Sequence, residues 1–318
     1  MPTKLRRDEV SAERATVCAL LAQANEVGDL LGARQFQRRL QKLDEELRVL
    51  GRFEERSASA ALFFSGPKVA GSRGIEADFA GDALERFQDL VSKTFARREL
   101  GNLGARGPVA ARPDSKLMVT AVTRGSFGFV LEEVGDQAEA IRTQLSEVVE
   151  EVVSFVSQLA DPAEDVFLEA VADIDSRLLG SARSFFTSLS NAQATLKIVE
   201  GDREISLGRD DVQRGKDRTE GLVITEREAV QLNGRLFVLP AHRRFEFVLD
   251  GTGENISGKV AAEPSREIGD QLLGGLFSPI GRRWVAEFDI REVTRPQRPV
   301  RHFYTLVRLI REIVEAPP

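Results

Sequence analysis

The chain has 318 residues, of which 42% are hydrophobic and 30% charged, with a formal net charge of −6. This composition is typical of a globular protein of one or two domains and excludes a mainly disordered chain. No apolar run reaches the roughly 18–20 residues that a membrane helix needs. No apolar segment follows the charged N-terminus, so we expect a cytoplasmic protein with neither a signal peptide nor membrane association.

Cysteine and histidine are too few for the common metal and redox sites. With Cys18 as its single cysteine and only two histidines, the chain can form no internal disulfide and offers no zinc-binding set. Gly66–Arg73 has the glycine spacing of a phosphate-binding loop. After its second glycine this motif needs lysine and then serine or threonine, but Ser72 and Arg73 stand there. We therefore expect no cofactor. Arginine is far commoner than lysine, a bias associated with GC-rich bacterial genomes.

Two amphipathic helices are predicted at the start of the chain. Residues 8–27 carry apolar side chains at helical spacing, and in residues 29–50 the apolar positions 36, 40, 43, 47 and 50 follow a heptad-like pattern. Gly28 and Gly51 follow the two runs and indicate a turn or a helix cap. We predict a helical hairpin over residues 1–56, which packs on its own chain or against another copy.

A small α+β domain is predicted over residues 57–192. Residues 58–64 are a buried strand, residues 79–98 a helix, and residues 100–114 a glycine- and proline-rich loop. A strand hairpin at residues 115–134 is predicted to be the element on which the helices pack, and Gly128 between two phenylalanines indicates a bulge or a close backbone contact. Helices follow at residues 136–160 and 162–178, and a short one lies after Gly180.

The pattern changes to a period of two from residue 194. A hairpin turning at Gly201-Asp202 and a short helix at 210–220 precede five strands, at residues 229–239, 242–249, 256–261, 284–293 and 302–310, with a helix inserted at 265–273. We predict an SH3-like or OB-like barrel over residues 193–318. The fold class is therefore α+β, with a domain boundary near 191–194 and a weaker one near 220.

Carboxylates at the end of the 115–134 hairpin are candidate metal ligands: Glu132, Glu133 and Asp136. Carboxylate oxygens suit Mg²⁺ or Ca²⁺, but a nuclease-type site would also need a further acid or a lysine, and Lys116 is the only lysine close in sequence. In the alternative interpretation these acids start the next helix, where negative charge stabilises the positive end of the helix dipole.

An acidic band follows in the two helices after that hairpin. Residues 136–177 contain 11 acidic and 2 basic side chains. Such a band is usually a solvated helix face. It is also a possible docking surface for a basic protein partner.

The predicted barrel carries six candidate nucleic-acid-binding arginines: Arg243, Arg244, Arg282, Arg283, Arg298 and Arg301. Small barrels bind RNA or single-stranded DNA through arginines on phosphates and aromatic rings on bases. The aromatic residues beside these arginines include Phe245, Trp284 and Tyr304. However, Phe245 and Phe247 alternate as interior residues of a barrel do, which favours a role in the core.

Three functions remain open from the sequence. The first is a non-enzymatic interaction or regulatory subunit that forms a homo-oligomer or docks on a partner protein through helices at residues 8–50 and 136–178. The second is binding of RNA or single-stranded DNA by the barrel. The third is an enzyme with a carboxylate metal site at Glu132 and Glu133. The lack of a recognisable catalytic set favours the first.

Overall fold

A computed structural model describes residues 1–51, 56–100, 113–123, 127–134, 141–172, 174–239, 242–261, 266, 280–296 and 298–313. The chain divides into two compact units, Met1–Glu220 and Gly221–Pro318. The first unit contains helices and a sheet, and the second contains a closed barrel. The predicted α+β class, the N-terminal helical pair and the β-rich C-terminal end are therefore confirmed.

The elements of the two units follow the chain in this order. The helices of the first unit are α1 (Thr3–Glu26), α2 (Leu30–Leu50), α3 (Ala77–Leu100), α4 (Gln144–Ala160), α5 (Glu164–Ala172), α6 (Ser176–Asn191) and α7 (Arg209–Glu220). Its strands are β1 (Ser59–Ser65), β2 (Met118–Thr123), β3 (Phe127–Glu132), β4 (Thr195–Glu200) and β5 (Arg203–Leu207). The strands of the second unit are β6 (Val223–Leu239), β7 (Arg244–Leu249), β8 (Asn255–Val260), β9 (Arg283–Thr294) and β10 (Arg301–Glu312).

The predicted helical hairpin is formed by α1 and α2. Gly28 makes the turn with a φ of +74°, which glycine adopts without strain. Asp29 caps α2 by accepting a hydrogen bond from the Gly32 backbone N–H. The first turn of α1 is fixed to the sheet, where the Lys4 N–H donates to the Gly201 carbonyl at 3.0 Å. Within the described chain, the hydrogen bonds and ion pairs of residues 8–51 all stay inside the hairpin.

The sheet of the first unit is antiparallel and has the order β2-β3-β1-β4-β5. The strand hairpin predicted at residues 115–134 is present as β2 and β3, but β2 lies at the edge. The central strand is β1, whose first six residues are all buried. The prediction that the 115–134 hairpin is the central element of this part of the chain was therefore wrong. That position belongs to β1, which pairs with β3 on one side and with β4 on the other.

The contact predicted at Gly128 is confirmed. Gly128 lies directly opposite Phe63 of β1. A Cβ atom at position 128 would collide with the Phe63 ring and the Thr123 hydroxyl. Glycine is required here because the ring of Phe63 occupies the space of a side chain.

The two faces of the sheet are covered by different elements. On one face Phe64 packs on Phe79 of α3, with ring centroids 5.5 Å apart, and α4 packs against β1 and β4. The other face carries a small apolar cluster, on which Met1 and Leu5 pack: Ala61, Phe63, Val130 and Val199. The start of α1 therefore belongs to the core of this unit, whereas the rest of the hairpin extends from it.

The helix predicted at residues 136–160 starts later than expected. α4 begins at Gln144, where the Thr143 hydroxyl accepts a hydrogen bond from the Ser146 N–H. Residues 135–140 lie outside the described residues, as do residues 101–112 of the predicted long loop.

The helix predicted at residues 162–178 is two helices. α5 ends at Ala172, and Asp175 starts α6 by accepting a hydrogen bond from the Leu178 N–H at 2.7 Å. Gly180, expected to separate two helices, lies inside α6. The apolar side chains keep their helical spacing from α5 into α6, so this spacing predicted one continuous helix. The boundary is set instead by the capping Asp175.

The two compact units meet at 220–221, which coincides with the weaker of the two predicted boundaries. The β4–β5 hairpin, expected in the barrel, pairs with β1 over residues 195–200. α7 packs on α6 and α4 of the same unit. The strands β4 and β5, predicted in the domain at 193–318, thus complete the sheet of the first unit.

The second unit is a closed five-stranded barrel of order β10-β8-β7-β6-β9. β8 and β10 pair in parallel, and this pairing closes the barrel. Its interior is apolar: Leu236, Val238, Phe245, Phe247, Ile256, Val260, Trp284, Ala286, Phe288, Ile290 and Leu306. The interior position expected for the strand aromatics is confirmed for Phe245 and Phe247. The inserted helix predicted at 265–273 lies, apart from residue 266, outside the described residues.

Candidate functional site

The helical hairpin is closed on itself by a narrow apolar seam and by ion pairs. Val10, Val17 and Leu43 are buried between the two helices. Three ion pairs join the helices: Arg6 with Glu46 at 2.5 Å, Arg14 with Asp44 at 2.6 Å and Arg39 with Glu13 at 2.5 Å. These contacts fix the register of the hairpin but leave the outer faces of both helices uncovered.

The two outer faces of the hairpin differ in chemistry. Residues 15–25 of α1 contain no charged side chain, and Ala15, Ala19 and Ala22 are exposed there. The outer face of α2 carries Arg34, Arg38 and Lys42 at helical spacing. At the tip, Val27, Leu30 and Leu31 are 73%, 78% and 76% exposed. The hairpin therefore presents one uncharged face, one basic face and an apolar tip.

The two described candidate metal ligands, Glu132 and Glu133, accept hydrogen bonds from groups of the protein itself. The Glu132 carboxylate accepts hydrogen bonds from the Met1 amine and the Thr120 hydroxyl. Burial raises the pKa of Glu132, but these two donors outweigh it and hold the pKa below its ordinary value.

Glu133 binds the residue before β1 and the residue that caps α4. Its carboxylate accepts from the Ala58 N–H at 2.9 Å and from the Thr143 hydroxyl at 2.7 Å, the same Thr143 that caps α4. Asp136 lies outside the described residues. Among the residues that are described, no group of three or more His, Cys, Asp or Glu side chains could hold a metal ion.

The acidic band on α4 is neutralised by arginines. Glu151 pairs with Arg97 at 2.6 Å, Glu147 pairs with Arg98, and Glu150 pairs with Arg142 of the preceding loop at 2.7 Å. These pairs line a cavity of about 530 Å³ between α3, α4 and α5. The α4 part of the band is thus a mixed-charge surface, which gives a basic partner little to attract it.

Glu200 is a buried carboxylate beside this charged cluster. It ends β4 and is 8% exposed. Burial, and then the negative charge of Glu150, raise the pKa of the Glu200 carboxyl, while Arg142 and Arg203 oppose the shift. The folded state therefore binds the proton of Glu200 more tightly than the unfolded chain does.

The Glu200→Gln variant is expected to be more stable than the wild type at neutral pH. Because the folded-state pKa lies above the ordinary 4.5, the wild type loses stability as pH rises from 4.5 through the folded pKa, and glutamine has no such loss. Urea unfolding below pH 4.5 and at neutral pH measures this difference. Glu85→Gln, an exposed site on α3, is the control. Parallel pH profiles of the wild type and Glu200→Gln would contradict the assignment.

The structure separates the six candidate arginines of the barrel. Arg282 pairs with Glu312 at 2.9 Å, and Arg283 pairs with Asp250 at 2.7 Å at the start of β9. Arg301 lies opposite Val293, near the other end of β9 and roughly 33 Å away along the strand at about 3.3 Å per residue. The six arginines therefore do not form one site: Arg298 and Arg301 are exposed at the far end, and Arg243 is exposed before β7.

Strand pairing instead assembles a different group on the outside of the barrel, here called the basic strip: Arg235, Phe237, Arg244, Lys259 and Arg283. Arg235 lies directly opposite Arg283 across β6 and β9. Arg244 lies directly opposite Lys259 across β7 and β8. Phe237 lies on β6, two residues after Arg235, and is 40% exposed.

No protein-family model, curated protein or solved structure matches this chain. The side chains themselves therefore have to indicate the function. Of the basic strip, the sequence pointed to Arg244 and Arg283 but missed Arg235, Phe237 and Lys259. Period-two alternation was the available signal, since it places Arg235 and Phe237 on the face of β6 opposite Leu236 and Val238.

Among the helices of the described residues, none is long and apolar enough to cross a membrane.

Proposed function

We propose that the protein is a non-enzymatic, cytosolic bacterial interaction or regulatory subunit that self-associates through its helical hairpin. The observation that supports the proposal is the outer face of α1, where residues 15–25 expose alanines and carry no charge. Two copies can bring such faces together without removing a charge from water, which would oppose association. Alanine side chains also allow helix axes to approach to about 8 Å, the near limit for packed helices.

The charges of α2 favour the same arrangement. Arg34, Arg38 and Lys42 lie on the side of the hairpin opposite the alanine face. When two α1 helices pack antiparallel near Ala19, these cations point away from the second copy. They therefore do not repel the corresponding cations of that copy. A contact of this kind uses the same surface on both copies, as a two-fold dimer requires.

The apolar tip adds surface to this contact. Val27, Leu30 and Leu31 are exposed at the end of the hairpin, and isolated monomers rarely leave such side chains clustered in water. The second predicted docking surface, residues 136–178, is less suited, because Glu147, Glu150 and Glu151 already bind arginines.

The proposal is tested by the mass of the full chain in light scattering across a range of concentrations. The wild type is expected to approach twice its 35.1 kDa, and Ala19→Glu is expected to be monomeric because it places a charge in the contact. Gln41→Glu, which adds the same charge on the outer face of α2, should remain dimeric. Circular dichroism checks that the helices of the variants are intact.

Two results would exclude the self-association proposal. One is a wild type that stays monomeric at the highest concentration. The other is an Ala19→Glu variant as dimeric as the wild type. Capture of a different protein by the monomer would point to docking instead.

We further propose that the barrel is of the SH3-like or OB-like kind. Its five strands, its closed order and the length of its strands support this class.

A further inference from the structure

The basic strip brings two pairs of cations into directly opposed positions on the outside of the barrel. Arg235 faces Arg283, and Arg244 faces Lys259, in each case directly across neighbouring strands. Like charges in directly opposed positions destabilise a sheet. Asp250 binds Arg283, and Glu246 is the acidic side chain on β7 next to Arg244. The four cations concentrate positive charge on one strand surface, and such a surface attracts a polyanion.

An aromatic ring lies between the two pairs. Along β6 the interior positions Leu236 and Val238 alternate with outward positions, and Phe237 is the outward residue between them. Its partner on the neighbouring strand β7 is Glu246, so the side chain opposite the ring on that strand is charged rather than apolar. An exposed aromatic ring on a polar strand surface is a ready platform for stacking of a planar, unpaired base.

We propose that the basic strip binds single-stranded nucleic acid, with its cations on the phosphates and Phe237 stacked on a base. The combination selects single strands, because stacking on a side chain needs a base face that a duplex keeps covered. Attraction by the whole chain plays no part, since the net charge is −6. The proposal is independent of self-association by the hairpin.

The experiment measures fluorescence anisotropy of labelled oligo(dT) and oligo(U) with the full chain at several salt concentrations. Binding is expected to weaken with salt, with a log–log slope of about −2 to −3 for three or four phosphate contacts to a single strand. The two oligonucleotides show whether DNA or RNA is preferred. A duplex of the same length should compete poorly, and absence of binding to both single strands would overturn the proposal.

Variants locate the site. Phe237→Ala is expected to weaken binding about tenfold or more, and Phe237→Trp should restore it because stacking is retained. Arg244→Gln should lower affinity and reduce the size of the salt slope by about 0.7, the share of one phosphate contact. The control is Arg227→Gln, which removes the same charge from the far end of β6 and should leave binding unchanged.

The outcomes are distinguishable. If Arg227→Gln and Arg244→Gln weaken binding equally, the strip is not the site. If Phe237→Ala has no effect and heparin competes as well as oligo(dT), the barrel binds any polyanion, and the proposal of single-strand recognition fails. Circular dichroism of each variant confirms that the barrel is folded.

Discussion

Replacing Gly258 by alanine is expected to destabilise the barrel by about 3 kcal/mol, the upper part of the usual range for an overpacked site. Gly258 lies opposite Tyr304 in the parallel pairing of β8 and β10 that closes the barrel. A Cβ atom at position 258 would collide with the Tyr304 carbonyl oxygen and press on the Phe245 ring. A carbonyl of the main chain cannot rotate away, so relief requires β8 and β10 to separate.

Unfolding of the Gly258→Ala variant can be followed in the second unit alone. Trp284 is the only tryptophan of the chain and is buried in the barrel, so its fluorescence during urea unfolding reports on this unit. Ser257→Ala, one residue earlier and on the outside of the same strand, should change the free energy of unfolding by less than about 0.5 kcal/mol. Equal midpoints for the two variants would show that the closing pair tolerates a side chain.

Side-chain periodicity was sufficient to predict most elements of both units. The apolar spacing of residues 8–50 indicated a helical hairpin, and the alternation from residue 229 onward indicated the strands of the barrel. It also predicted that Phe245 and Phe247 face inward. These are local patterns, and each depends on a few turns of helix or a few residues of strand.

Side-chain periodicity could not predict which distant strands pair with each other. A period of two marks Thr195–Glu200 as a strand but does not say which sheet it joins, and its partner β1 lies more than a hundred residues earlier. The same limit applies to sites. The basic strip depends on the registers of β6 with β9 and of β7 with β8, so its opposed cations do not appear as a motif in the sequence.

A third example is a polar cluster that joins α3 to α6. The Ser181 hydroxyl donates to the Asp89 carboxylate at 2.6 Å and accepts from the Lys93 ammonium at 2.5 Å. Lys93 also pairs with Asp89 at 2.8 Å. Residues 89 and 93 are separated by one helical turn, but position 181 meets them only through helix packing.

Arg218→Ala is expected to lower the free energy of unfolding of the first unit by about 3 kcal/mol, because several partners lose their donor together. From α7, the Arg218 guanidinium donates to the main-chain carbonyls of Asp161 and Pro162, which follow the last turn of α4. It also pairs with Glu164 at 3.4 Å and lies over the Phe167 ring at 4.8 Å. One planar cation thus holds the α4–α5 connection to α7.

The Arg218→Lys variant separates this geometry from charge. A lysine ammonium is a point charge and cannot reach both carbonyls while stacking on Phe167, so this variant should lose at least half of the stabilisation. Far-UV circular dichroism during urea unfolding measures it, since the described helices lie in the first unit apart from residue 266. Arg209→Ala, at the exposed start of α7, should stay within about 0.5 kcal/mol of the wild type. If Arg218→Lys matched the wild type, charge alone would hold the connection, and the donor geometry would contribute nothing.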